Sequence, residues 1–98
     1  MRMVDIKKSD GTSVNAELIS IFEVVNIAKK YIFYTLNETV ENNLITMYVA
    51  EVTELGNKSV SVGQKMTEEE WANLKGIMKS ILTGSDASNI KYLEIEGV

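Results

Sequence analysis

The sequence predicts an α+β fold: a five- to six-stranded, mainly antiparallel curled sheet with one C-terminal amphipathic helix packed on one face. Three observations carry this. Apolar and polar residues alternate with period two through positions 1–65, interrupted by turn signals. A helical stretch at 67–83 follows, with its own start and stop residues. A last alternating segment occupies 90–96. At 98 residues, 45% hydrophobic and 24% charged, the chain suits one globular domain spanning 1–98.

Val4 and Ile6 alternate with Asp5 and Lys7 in a first strand. Ser9-Asp10-Gly11-Thr12 turns the chain, because Asp-Gly supplies the positive φ values of a tight hairpin. The second strand, 13–25, sets Val14, Ala16 and Leu18 on one side and Ile19 and Ile21 on the other, with Phe22 and Val24 at the first parity. A bulge near Leu18-Ile19, or burial of both faces, accounts for that pattern. After a turn at 26–30, the aromatic and β-branched run 31–36 is a third strand. Residues 37–43 read as a polar loop. In the fourth strand, 44–52, Leu44, Tyr48, Ala50 and Val52 share one face, while Ile45, Met47 and Val49 share the other. Gly56-Asn57 turns into a short fifth strand carrying Val60 and Val62. The expected arrangement is a meander.

The helix begins at a capping box, Thr67 with Glu70 three residues on, and Glu68 and Glu69 suit the positive end of its dipole. Trp71, Leu74, Ile77, Met78, Ile81 and Leu82 form one apolar stripe. Gly84 stands where a C-terminal cap belongs. Gly76 costs about 1 kcal/mol against Ala in mid-helix, so it is expected to mark a close approach to the sheet. The final strand, 90–96, follows a short link and pairs with its own sheet edge or with a neighbour's. Free ends fray unless held, so both ends are expected to dock.

The chain has no Cys, no His and no Pro, and Arg2 is its sole arginine. Disulfides, thiolate nucleophiles, and ordinary zinc, haem or iron–sulfur sites are thereby excluded. So are Ser-His-Asp and Cys-His catalysis within one chain. The net charge of −4 opposes phosphate-rich partners. No apolar run reaches the roughly 18–20 residues needed to cross a bilayer, and the N-terminus lacks a signal-peptide core.

Individual clusters read as structural. Glu68-Glu69-Glu70 lacks the six to eight oxygen ligands that Ca²⁺ takes from a shaped loop, so helix capping explains it. Glu38 and Glu41 with Asn42 and Asn43 read as a solvated loop. Gly84-Ser85-Asp86-Ala87-Ser88-Asn89 follows a helix and lacks the Gly-Lys-Ser/Thr ending, so it is no phosphate loop. Tyr31, Phe33, Tyr34 and Tyr48 have only Lys29 and Lys30 as an adjacent basic pair, short of the Arg and Lys that surround a nucleic-acid stacking platform, and read as core or interface aromatics. No catalytic, cofactor-binding or metal-binding residues emerge, and a non-enzymatic protein is expected.

The apolar content points to an interface. A helix of about 16 residues is roughly 24 Å long and 10 Å across. Five strands at about 4.8 Å spacing span roughly 24 Å. One helix therefore covers about two strands of one face, yet the central strands carry large apolar residues on both. Uncovered residues should meet another protein surface. The candidates are Ile32, Tyr34, Ile45, Met47 and Val49 on the sheet, and Ile90, Tyr92, Leu93 and Ile95 on the final strand. The alternative is a sheet that curls until it closes as a small barrel and buries both sets internally.

Several segments together resemble a small bacterial family of unknown function, the YrzB-like domains. They are Asp10-Gly11, Phe22-Glu23-Val24, Lys30-Tyr31-Ile32, Met47-Tyr48-Val49-Ala50, and the acidic helix opening from Glu68 to Trp71. The resemblance covers residues 4–82. This chain departs from the family's pattern in its second turn, Asn26-Ile27-Ala28-Lys29, which has no Gly, and in its additional C-terminal strand. The resemblance implies an α+β fold and no known catalytic residue.

The functional expectation is a non-enzymatic structural or interaction protein, a repeated subunit of a larger assembly such as an auxiliary or decoration protein of a bacteriophage head. A free cytoplasmic bacterial adaptor or regulator that binds one protein partner is the alternative. Expected partners are another protein or further copies of the chain, with no nucleic acid, membrane, small-molecule substrate or cofactor. The expected location is the cytoplasm, or a virion if the chain is phage-encoded.

Overall fold

The fold is taken from a computed structural model that describes residues 2–39, 45–64, 66–84 and 89–98. The side chains of Thr39 and Ile45 lie outside that description. So do the expected strand start at Leu44, the loop residues Glu41, Asn42 and Asn43, and positions 85–88 of the glycine-led loop.

The elements run β1 (Met3–Lys7), β2 (Ser13–Val24), a 3₁₀ turn (Val25–Ile27), β3 (Lys29–Thr39), β4 (Ile45–Gly56), β5 (Ser59–Val62), α1 (Glu68–Thr83) and β6 (Ile90–Tyr92). The mixed α+β class follows the sequence expectation. The sheet is more curled than an open meander. Strands β1 to β5 pair antiparallel in chain order, and β5 then pairs with β1, parallel, through Asp5↔Ser59, Ile6↔Val60 and Lys7↔Ser61. The parallel pair follows from counting. Each hairpin reverses the chain, so the fifth strand of a meander runs with the first, and closure can only join them in parallel. The result is a small five-stranded barrel.

The register of β2 and β3 slips between Leu18 and Ser20, where the sequence suggests a bulge. The slip reverses which parity faces inward. Ala16, Leu18 and Ile21 join the barrel interior, whereas Phe22 and Val24 turn outward beneath the helix. The sequence reading set Ile21 opposite Leu18 and kept Phe22 with it; the bulge does the opposite. β3 and β4 also extend further than expected, so Asn37 and Glu38 belong to a strand. Asn37 is left-handed (φ 60°), and the β3–β4 register shifts between Thr35 and Thr39.

Two cores result. The interior core gathers Val4, Ile6, Ala16, Leu18, Ile21, Ile32, Tyr34, Val52, Val60, Val62 and Ile95. The outer core joins Phe22, Val24 and Tyr31 to Leu74, with Val49, Met66, Ile77, Met78, Ile81 and Ile90 against them. Thr67 caps α1 by accepting the Glu70 N–H at 3.2 Å, and Gly84 ends it at φ 74°. Leu74 is the helix's one buried residue, while Trp71 and Leu82 are exposed at the two ends of the expected stripe. Gly76 does not approach the sheet: a Cβ added there meets nothing within 4 Å.

β6 pairs with its own chain, antiparallel to the C-terminal half of β2 (Phe22↔Tyr92, Val24↔Ile90). It is shorter than the expected strand at 90–96. β1 uses the N-terminal half of the same β2 edge (Val4↔Ala16). Beyond β6 the chain crosses the barrel's lower end. Leu93 N–H donates to the Ile21 carbonyl at 2.9 Å, Lys58 N–H to the Glu96 carbonyl at 2.7 Å, and Ile95 fills the interior.

Candidate functional site

The meander puts the β1–β2 turn, the top of β3 and β4, and the end of β5 at one end of the barrel. The β2–β3 and β4–β5 turns lie at the other. The C-terminal segment covers that lower end, whereas the upper end opens into a groove of about 560 Å³. Roughly 300–1,000 Å³ is the size range of clefts that bind small molecules. Tyr34, Tyr48, Val49 and Ala50 line it, with Met47, Met66 and Trp71 also contributing. Lys8, Asp10 and Glu68 supply its charge.

Local chemistry fixes these walls. The Tyr34 and Tyr48 rings stack at 5.5 Å and 18° across the β3–β4 pair. The Tyr48 hydroxyl donates to Glu38 Oε1 at 2.6 Å, and that bond, ahead of burial and the carboxylate's charge, raises the Tyr48 pKa. Burial raises that of Tyr34. Asp10 accepts the Thr12 hydroxyl at 2.6 Å and its N–H at 2.9 Å, which closes the hairpin and lowers the Asp10 pKa. The Lys75 ammonium lies 5.9 Å from the Trp71 ring, within cation–π range.

A second polar cluster lies where α1 begins. The Tyr31 hydroxyl donates to Glu70 Oε2 at 3.3 Å, and Lys29 Nζ lies 3.6 Å from Glu70 and 4.0 Å from Glu51. Burial raises the Tyr31 pKa, and the Glu70 charge and hydrogen bond add to it, so the phenol titrates at about 12. For Glu70, desolvation pulls upward, but Lys29, the Thr67 N–H and the Tyr31 hydroxyl together outweigh it and lower the pKa. A phenol held protonated and a carboxylate held charged by donors are poorly matched to general-base work near neutrality. Their effect is to fasten the helix start to the sheet.

The predicted interface residues disperse. Ile32, Tyr34 and Ile95 are corrected: they are 0%, 6% and 3% exposed and belong to the interior core. Closure supplies the cover that an open sheet lacks. Ile90 is half-buried under the helix, and Leu93 packs on the barrel core. Tyr92, 58% exposed, stands alone on the edge strand, and the Ile45 side chain is outside the described residues. Met47 and Val49 do come together in the groove, where the wall of Tyr34 also reaches. Sequence reasoning missed Met66 and Trp71 as groove residues. Trp71 at the first edge of the stripe, next to the helix cap, is the signal that it overhangs the sheet.

Tyr31, Phe33 and Tyr34 are buried and form no exposed stacking platform. Among the described residues, no group of three acidic side chains is placed to hold a metal ion, and no helix is long and apolar enough to cross a membrane. The chain matches no family model, no curated protein and no solved structure.

Proposed function

We propose that this chain is a non-enzymatic interaction protein that serves as a repeated subunit of a larger assembly, of which an auxiliary or decoration component of a bacteriophage head is an example. The observation that carries the reading is the open apolar groove at the upper end of the barrel, where Met47 and Trp71 remain 42% and 38% exposed. Water-facing Met and Trp beside stacked tyrosines are the residue types that protein interfaces concentrate at their centres. The absence of His and Cys from the sequence favours binding over catalysis. The acidic balance favours protein over nucleic acid as the partner. The YrzB-like resemblance adds an expectation of fold and no activity, so the groove bears the argument.

Trp71 is the only tryptophan, which makes the groove its own reporter. Sedimentation velocity of the full chain over the micromolar range, with fluorescence on the same samples, tests the reading. The expected result is a mass that grows with concentration while Trp71 emission shifts to the blue. A monomer throughout, with constant emission, overturns it.

A further inference from the structure

We propose that the groove takes a short extended peptide of another protein, apolar with basic ends, which adds to the open edge of β4 as one more strand. This rests on the reading of the groove as a protein-binding surface and names what it binds. β5 covers only the second half of β4, from Val52↔Val62 to Gly56↔Ser59. Gly63 N–H then donates to the Glu51 carbonyl at 2.9 Å, and among the described residues no strand pairs with that edge further along. The same bond fixes the directions. The Glu51 carbonyl points away from β3, and main-chain groups two residues apart in a strand point the same way. The N–H and C=O groups of Met47 and Val49 therefore face the open edge, whereas those of Tyr48 and Ala50 face Tyr34 and Ile32 on β3. The Thr46 carbonyl agrees, since it accepts the Thr35 hydroxyl from the β3 side at 2.9 Å. Unpaired main-chain groups at alternate residues recognise an extended chain.

The surroundings say what kind of chain. Ser9 and Asp10 of the β1–β2 turn line the same groove as Met66 and Trp71 beside the helix start, so the edge lies in a slot. Such a slot admits a single strand and shuts out the edge of a second folded barrel. Val49 packs in the outer core, so Met47 shares the helix side, while Tyr48 and Ala50 pack on the interior. In an antiparallel strand that continues the line of β5, the residues opposite Met47 and Val49 bond to them and lie on the helix side near Trp71. The residue between drops toward Tyr34 and Val62. Three consecutive apolar residues therefore fit. Charge sets the ends. Asp10, Glu38 and Glu68 stand against Lys8 and the Lys75 over Trp71, and the neighbouring Lys29 lies between Glu51 and Glu70, so the full count is net negative.

The probe is the acetylated, amidated pentapeptide Lys-Val-Val-Val-Lys, added to the full chain while Trp71 emission and amide exchange by NMR are followed. The Met47 and Val49 amides are expected to exchange fast in the free chain and to slow with peptide, as Trp71 emission shifts to the blue. N-methylation of the second and fourth peptide residues blocks the donors aimed at β4 and should weaken binding by about tenfold or more. N-methylation of the third, whose N–H points away, leaves affinity unchanged. Glu-Val-Val-Val-Glu should bind more weakly, and equal binding overturns the basic ends. No binding at millimolar peptide, or equal binding of all the N-methylated forms, overturns the added strand while leaving the assembly reading to its own sedimentation test. Protection of Met47 and Val49 that grows with chain concentration in the absence of peptide seats a second copy on the edge; it overturns the lone strand and supports assembly. A chain that neither associates nor binds the peptide overturns both.

Discussion

Gly76 lies midway along α1, exposed, and an added Cβ there meets nothing within 4 Å. Replacing it with Ala removes the entropic cost of a helical glycine without a compensating clash, so Gly76→Ala should raise stability by about 0.5–1 kcal/mol. Urea denaturation with a higher midpoint and an unchanged slope is the expected readout. Gly97 behaves in the opposite way. It has φ 81°, and a Cβ there meets Lys58 Cγ at 2.8 Å and Asn57 Oδ1 at 2.9 Å. Lys58 Cγ lies close to a backbone held by the Lys58 N–H bond to Glu96, so the clash adds to backbone strain of about 1–2 kcal/mol, and Gly97→Ala should lower the urea midpoint. The contrast shows what a sequence conceals at this scale. Glycine in a helical pattern reveals a propensity defect, but the space around its Cα depends on residues far away in the chain.

Helix α1 is held by few groups, which makes its attachment sensitive to pH. The folded-state pKa of Glu70 is lowered, so its contribution to stability is present above the ordinary glutamate value of 4.5 and is lost as the pH falls through the depressed value. Glu70→Gln should therefore be less stable than wild type at neutral pH, and the gap should close on acidification. Urea titrations of both proteins across the acid range measure that convergence. Tyr31 acts at the other extreme. Its pKa is raised from 10.0 to about 12, so its contribution is complete below 10.0 and is lost as the pH rises through about 12. Absorbance titration of Tyr31→Phe should lack a phenol ionising near 12. The helix itself was legible because its signals are local. Thr67, Glu70 and Gly84 act within four residues of themselves. The bulge near Leu18 was legible for a related reason, since a break in alternation is written in consecutive residues. Its consequence was not, because parity after the slip depends on which partner β3 offers.

At the scale of the molecule, the decisive contact is the parallel β1–β5 pair, which joins residues more than fifty positions apart and leaves no local pattern behind. Width arithmetic on an open sheet therefore overstated the surface in need of a partner. Closure buried Ile32 and Tyr34 and reduced the candidate site to one end of the barrel, where Met47 and Val49 remained and Trp71 and Met66 joined them. The C-terminal segment packs into the opposite end. Ile95 is 3% exposed among the interior residues, Leu93 and Val98 pack against the same core, and Val98 N–H donates to the Ile95 carbonyl at 3.1 Å. Removal of 93–98 should thus unseal the lower end and act through stability, whereas an interface tail would change association alone. Ile95→Ala isolates the effect: deletion of a buried side chain that plugs a barrel costs about 2–5 kcal/mol. Ile95 is buried in the interior core and lines no part of the groove, so Trp71 emission and oligomer mass of the fraction that remains folded should match wild type. Urea denaturation reads the first quantity, and sedimentation with fluorescence at zero urea reads the second. Loss of association without loss of stability would instead make residue 95 part of an interface.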